Sequence, residues 1–214
     1  MKTCLIALFL LLAVGCKRAD AGKSFQETKI EAEKGNAPAQ FNLGVMYEHG
    51  RGVVKNEVEA VEWYRKAADQ GYALAQSKLG FMYADGRGVP KDEAEAVKWY
   101  RKAADQGDAY AQFNLGVMYA NGRGVPKDEA EAVKWYRKGA EQGHAPAQSN
   151  LGFMYANGRG VPKDEAEAYK WWLLAGAQGD EDAKKNISFI EGNITPAQRT
   201  EGQRRAREWK PRKP

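Results

Sequence analysis

Apolar residues recur along this chain with two short periods nested in a long one. After Asn36, residues Ala39, Leu43, Met46 and Tyr47 stand at i, i+4, i+7 and i+8, the spacing of one helix face. Further on, Ala96, Trp99, Tyr100, Ala103 and Ala104 mark a second helical face. The first pattern stops at Gly50, Gly86, Gly122 or Gly158, where a chain leaving a helix needs a left-handed residue. The second opens at Asp92, Asp128 or Asp164, followed three residues later by Glu95, Glu131 or Glu167, with Pro just upstream. That is a carboxylate analogue of the capping box, each cap being worth about 1 kcal/mol.

The long period is 36 residues, without insertion: Leu43-Gly44, Leu79-Gly80, Leu115-Gly116 and Leu151-Gly152 follow it, as do Trp63, Trp99, Trp135 and Trp171. Four units run over residues 36–179. Each predicts two helices too short to persist alone, and neither can bury its face without neighbours. The expected fold is all-α, an α/α solenoid stacking antiparallel helix pairs in a right-handed sense. Gly44 and its counterparts sit inside a helix, at a cost of roughly 1 kcal/mol relative to Ala. Repeated four times, that choice predicts close approach of the partner helix through small residues such as Ala60 and Ala68.

Ala-x-Ala-Gln-x-Asn-Leu-Gly-x-Met-Tyr-x-x-Gly-x-Gly-Val, followed by Ala-x-x-Trp-Tyr-x-Lys-Ala-Ala-x-Gln-Gly, resembles the Sel1-like, tetratricopeptide-like repeat. The likeness covers residues 36–179, with local departures at Gly139 and at Trp171-Trp172-Leu173-Leu174. Residues 23–35 align with a second helix lacking its partner, an N-terminal cap. Residues 180–194 hold a degenerate capping repeat, a first helix without its Leu-Gly. In residues 195–214, Thr195, Pro196 and Gln198 form an N-cap, N1 and N3 set that starts a last helix running toward Trp209. The resemblance implies that Trp209 packs on the last repeat, and that the protein is a non-enzymatic adaptor binding a protein or peptide.

The first 21 residues read as an export leader. Lys2 precedes the apolar run from Leu5 to Val14, which is shorter than the roughly 20 residues of a membrane-spanning helix. Leu12-Ala13-Val14-Gly15-Cys16 resembles the lipobox of bacterial lipoproteins, which implies cleavage before Cys16 and lipid attachment to its thiol. Plain secretion, with cleavage at Ala19-Asp20-Ala21, is the alternative. The expected location is the periplasm or the outer membrane, with Cys16 as anchor.

Composition narrows the chemistry. The 214 residues include 2 Cys and 2 His, too few for a disulfide framework or a multi-histidine metal centre, and both cysteines lie in the leader region. Lys and Arg total 33 against 28 Asp and Glu, a net charge of +5. The same +5 is carried by residues 195–214 alone, so the repeats are nearly neutral. Arg199, Arg204, Arg205, Arg207, Lys210, Arg212 and Lys213 form a candidate basic surface. Export speaks against nucleic acid as its partner and for anionic headgroups or an acidic protein, with a solvated tail as the plain alternative.

Catalytic constellations are not legible. Gly-Arg-Gly recurs in every unit at the end of a helix, where capping explains it better than phosphate binding. His49 and His144 vary polar positions at helix ends, and the Asp92-Glu93-Glu95 cluster suits a helix N-terminus. No cofactor is expected. The enzymatic alternative, an envelope hydrolase acting on β-lactams or peptidoglycan, comes from Cys-rich members of the family whose cysteine pairs are absent here.

One pattern overlies the repeat. The first helices carry Phe41/Val45, Ser77/Phe81, Phe113/Val117 and Ser149/Phe153, so the large ring alternates between positions i and i+4 with a 72-residue superperiod. Rings interlocking across each stacking boundary would explain it. The sharper reading makes Phe41, Val45, Phe81, Phe113, Val117 and Phe153 the lining of a concave partner-binding groove.

Overall fold

The computed structural model describes residues 24–212. The leader, Cys16 and Lys213 lie outside them. Among the described residues the chain is helical throughout. A first helix, α1 (Phe25–Glu33), precedes four pairs: α2 (Ala37–His49) with α3 (Glu57–Asp69), α4 (Ala73–Asp85) with α5 (Glu93–Asp105), α6 (Ala109–Asn121) with α7 (Glu129–Glu141), and α8 (Ala145–Asn157) with α9 (Glu165–Ala177). Helices α10 (Glu181–Glu191) and α11 (Pro196–Glu208) close the stack. Half of each expected box forms: Asp92, Asp128 and Asp164 accept from the amides of Glu95, Glu131 and Glu167. Their own amides donate to the carbonyls of Tyr83, Tyr119 and Tyr155, not to the glutamates. Gly50, Gly86, Gly122 and Gly158 are left-handed as expected.

The core runs continuously within each helix pair and on across each boundary to the next repeat. Ala60, Val61, Tyr64, Ala67 and Ala68 of α3 pack with Ala75, Leu79 and Met82 of α4 and with Trp99 of α5. The same set recurs one repeat on around Tyr100, Leu115 and Trp135, and again around Tyr136, Leu151 and Trp171. Each second helix therefore completes its burial against the next first helix, and each tryptophan reaches back one unit. Burying a large apolar side chain contributes about 1.5–3 kcal/mol, so a single repeat cut from the stack loses most of its stabilisation.

Buried polar side chains fix the stacking. Gln76, Gln112 and Gln148 donate through Nε2 to the carbonyls of Ala68, Ala104 and Ala140 at 3.1 Å, satisfying helix-end acceptors in the core. Their Oε1 atoms accept from Gln106, Gln142 and Gln178 at 2.7–2.8 Å. Gly-Arg-Gly is a clasp: Arg87, Arg123 and Arg159 reach the first-turn carboxylates Glu57, Glu93 and Glu129 of the preceding pair at 2.6, 2.8 and 2.6 Å. The second glycine makes the clasp fit. A Cβ on Gly124, whose φ is +67°, would lie 2.1 Å from the carbonyl oxygen of Glu93.

The close approach inside each pair differs from the expected one. A Cβ at Gly44 would lie 2.6 Å from the Tyr64 ring and 3.1 Å from the carbonyl oxygen of Ala60. The glycine thus seats an aromatic ring as well as a small residue. Ala68 faces the next repeat instead, where its carbonyl receives Gln76. In the last pair Trp172 takes the tyrosine's place, and its indole donates to the carbonyl of Ser149 at 3.0 Å.

Candidate interaction surface

The alternation in the first helices is resolved by what each position meets 31 residues later. Phe41 packs at a tilt against Tyr72 at 5.5 Å and Tyr64 at 5.6 Å; Phe113 meets His144 at 5.3 Å and Tyr136 at 6.1 Å. Where serine replaces the ring, the N-cap of the next first helix is an aspartate. Ser77 donates to Asp108 at 3.0 Å and Ser149 to Asp180 at 3.2 Å. Those aspartates also cap their own helices, whereas Tyr72 and His144 provide no side-chain cap. Two kinds of boundary, aromatic and polar, alternate along the stack.

The six proposed groove residues therefore separate. Phe41 and Phe81 line one open depression of 240 Å³ with Leu74, Ser77, Lys78, Asp108 and Tyr110. Val45 lines a neighbouring 470 Å³ hollow near the N-terminal end, with Asn42 and Arg51. Phe113 and Val117 pack half-buried against the cluster around Tyr136 and Leu151. Phe153 remains 42% exposed, with the Arg159 guanidinium 5.6 Å from its ring centre. Sequence reading missed the rim: Leu74 and Tyr110 are 48% and 44% exposed where the first and fourth repeats carry Pro38 and Pro146.

Beside the depression lies a polar cluster that no other repeat reproduces. Glu48, 2% exposed, occupies a slot held elsewhere by Ala84, Ala120 and Ala156. Its Oε2 accepts from the Tyr64 hydroxyl at 2.6 Å, and its Oε1 meets Lys78 at 3.0 Å and Arg87 at 3.3 Å. Burial alone would raise this carboxyl's pKa, but the Tyr64 hydroxyl and the Lys78 ammonium outweigh it and hold it below the usual range. Burial and the adjacent carboxylate push the Tyr64 phenol well up. Lys78 in turn replaces Asn42, Asn114 and Asn150. Two departures from the repeat meeting across one boundary were the available signal.

The repeat architecture matches a family model, Sel1 repeat, over residues 37–72, 73–108, 109–144 and 145–180. The chain belongs to the Sel1 repeat family. Among the solved structures that share its fold, two are similar at 39% and 40% identity. A Sel1 repeat protein from Oxalobacter formigenes is 40% identical, with a TM-score of 0.74 over 89% of this chain and 78% of that one. A protective antigen of uropathogenic Escherichia coli displaying an SLR fold is 39% identical, with a TM-score of 0.79 over 86% of this chain and 41% of that one. The chitin synthase regulator SKT5 of Saccharomyces cerevisiae is 42% identical over 64 residues, 30% of this chain and 9% of that protein. The chain thus spans less than half the length of these last two relatives. Sel1 repeat proteins are in general non-catalytic scaffolds for protein interaction.

In this Sel1 stack the basic end is largely occupied by its own ion pairs. Helix α11 begins with the expected capping box and seats on α9 through Gly202, where a Cβ would lie 2.8 Å from the carbonyl oxygen of Ala166. Gln198 reaches Glu165 at 3.2 Å, filling the role the clasp arginine plays in earlier repeats. Arg205 bonds Asp164, Glu167 and Glu201 at 3.0, 2.9 and 2.7 Å, while Arg204 pairs with Glu201 and Glu208 at 2.7 and 2.5 Å. Arg199 donates to the carbonyl of Glu191, and Arg212 folds back onto Glu141 at 3.0 Å. Trp209 meets Trp171 edge-on at 6.3 Å. Arg207 and Lys210 are exposed.

Proposed function

We propose that this Sel1 repeat protein is a non-catalytic adaptor of the bacterial cell envelope, tethered through lipidated Cys16, and that it holds a protein partner as an extended segment across α2, α4 and α6. The observation that carries this reading is the depression lined by Phe41 and Phe81 with Leu74 and Tyr110 on its rim. Two large apolar side chains, Leu74 and Tyr110, stand half-exposed there beside the polar Ser77, Lys78 and Asp108. A repeat stack offers such open troughs in place of enclosed pockets, and apolar anchors flanked by polar groups are what protein partners bury.

The reading of residues 195–214 as an anionic-surface binder draws less support, because carboxylates of the same chain already neutralise Arg204, Arg205 and Arg212. Chemical cross-linking in envelope preparations, comparing the natural protein with a Leu74→Ala/Tyr110→Ala double variant of unchanged circular dichroism, tests the adaptor reading. A cross-linked partner lost in the variant supports it; identical cross-links in both overturn the placement on this face. Intact-mass measurement decides the anchor, a diacylglyceryl adduct on Cys16 being the expected result.

A further inference from the structure

His144 stands where the alternation of boundaries meets a titratable ring. The residue precedes α8, and its imidazole is wedged between Phe113 and Tyr110 of α6, with ring centres at 5.3 and 6.3 Å. Its Nδ1 is buried and has no hydrogen-bond partner. Its side chain caps no amide of α8, whose first turn carries the positive end of the helix dipole. The equivalent slot in the second repeat holds Tyr72 against Phe41, a ring that never takes up a positive charge.

We propose that the boundary between the third and fourth Sel1 repeats is a pH-sensitive joint, in which protonation of His144 loosens the seating of α8 on α6 and α7. A proton on Nδ1 would create a buried N–H with no acceptor, a cost that the π-faces of Phe113 and Tyr110 offset only in part. The helix N-terminus adds repulsion. The groups facing the ring do not reverse this. Asp108, at the start of α6, attracts the imidazolium, but its carboxylate already accepts from Ser77 at 3.0 Å and from the Ala111 amide at 2.6 Å. Tyr110 from α6 meets it edge-on, and Tyr136 from α7, its phenol pushed up to about 12 by burial, stacks behind Phe113.

Burial therefore holds the imidazole below its ordinary value, against the field of Asp108. The unfolded or opened boundary takes up its proton first, near pH 6.5. The joint is fully stable above that value and weakens as the pH falls toward the lower value of the closed state. One proton limits the change in opening constant to about tenfold per pH unit.

The test is amide hydrogen exchange on the full chain between about pH 7.5 and about pH 5, comparing α8 with α4, each corrected for intrinsic exchange. Opening of α8 should rise at least about fivefold relative to α4. His144→Tyr, which copies the second repeat, should abolish the difference. Protection that falls equally in α8 and α4, or a pH response that survives the substitution, overturns the proposal. An NMR titration of the natural protein gives an answer independent of any variant, since His49 and His144 are its two histidines. A His144 transition below the ordinary imidazole value is expected, and one at or above pH 6.5 overturns the joint.

Discussion

The first and third boundaries between Sel1 repeats are made by tilted ring pairs, Phe41 against Tyr72 and Phe113 against His144; the second is made by a hydroxyl and a carboxylate, Ser77 on Asp108. Both rest on the same glutamine ladder and the same arginine clasp. The difference teaches that the shared ladder defines how repeats stack, while one exchangeable pair defines which neighbour fits. A ring at position 41 needs an aromatic residue 31 places on, and a serine there needs an acid that also caps its own helix. Mixing the two would leave Asp108 without its serine or a ring against a charge.

The largest expected effect ignores the boundary type. Leu79→Ala and Leu115→Ala each remove a side chain with no exposed surface, and each should cost about 3–4 kcal/mol in chemical denaturation. A gap between them larger than about 1 kcal/mol would show that the two boundaries differ in their cores and not merely in their exchangeable pair.

Next comes the ring. Phe113→Ala should cost about 2–3 kcal/mol, and the double exchange Phe113→Ser with His144→Asp, which copies the polar boundary, should recover part of the loss. The cycle built from these two substitutions measures the coupling directly. Strict additivity would break the idea that the pair is exchanged as a unit.

Glu48 distinguishes the first boundary from the third. Glu48→Gln should cost about 2 kcal/mol by urea unfolding, since Lys78 and the Tyr64 hydroxyl lose the carboxylate between them. Because the folded carboxyl is held below its ordinary 4.5, its contribution is complete above that pH and fades as acidity carries the folded protein through its own lower value. A stability difference between natural protein and variant that persists unchanged well below pH 4 would contradict this.

The smallest effect belongs to the polar pair. Ser77→Ala should cost about 1.5 kcal/mol, the low end for a partly buried hydrogen bond to a charged acceptor, while leaving the Asp108 cap intact. A cost matching Phe113→Ala would erase the distinction between the two boundaries.

Much of the fold could be read before any coordinates. The Asp caps, the left-handed glycines and the Thr195 box stand where the spacing put them, because capping depends on residues within three or four positions of each other. The candidate surface was less legible. The alternation of Phe41, Ser77, Phe113 and Ser149 was visible, yet its partners at Tyr72, Asp108, His144 and Asp180 belong to the next repeat and carry no local signal. Leu74 and Tyr110 look like ordinary variation at a helix start until the open space beside them is known. The net charge of the C-terminal residues was correct as a sum and misleading as a surface, since Arg205 finds Asp164 and Glu167 some forty residues earlier.

By itself the sequence determined the repeat, its length, the helix ends and the membership of the Sel1 family, because these follow from short-range periodicity and from four copies of one pattern. Tertiary structure alone decided which face each side chain meets across a boundary. It turned Gly-Arg-Gly into a clasp, a buried glutamate into a single unrepeated ion cluster, and a histidine at a helix start into a ring packed between two others with its Nδ1 left without a hydrogen bond. The physical reason is distance along the chain. Contacts 30 or 31 residues apart are made by stacking, and stacking places side chains by geometry that no local pattern encodes.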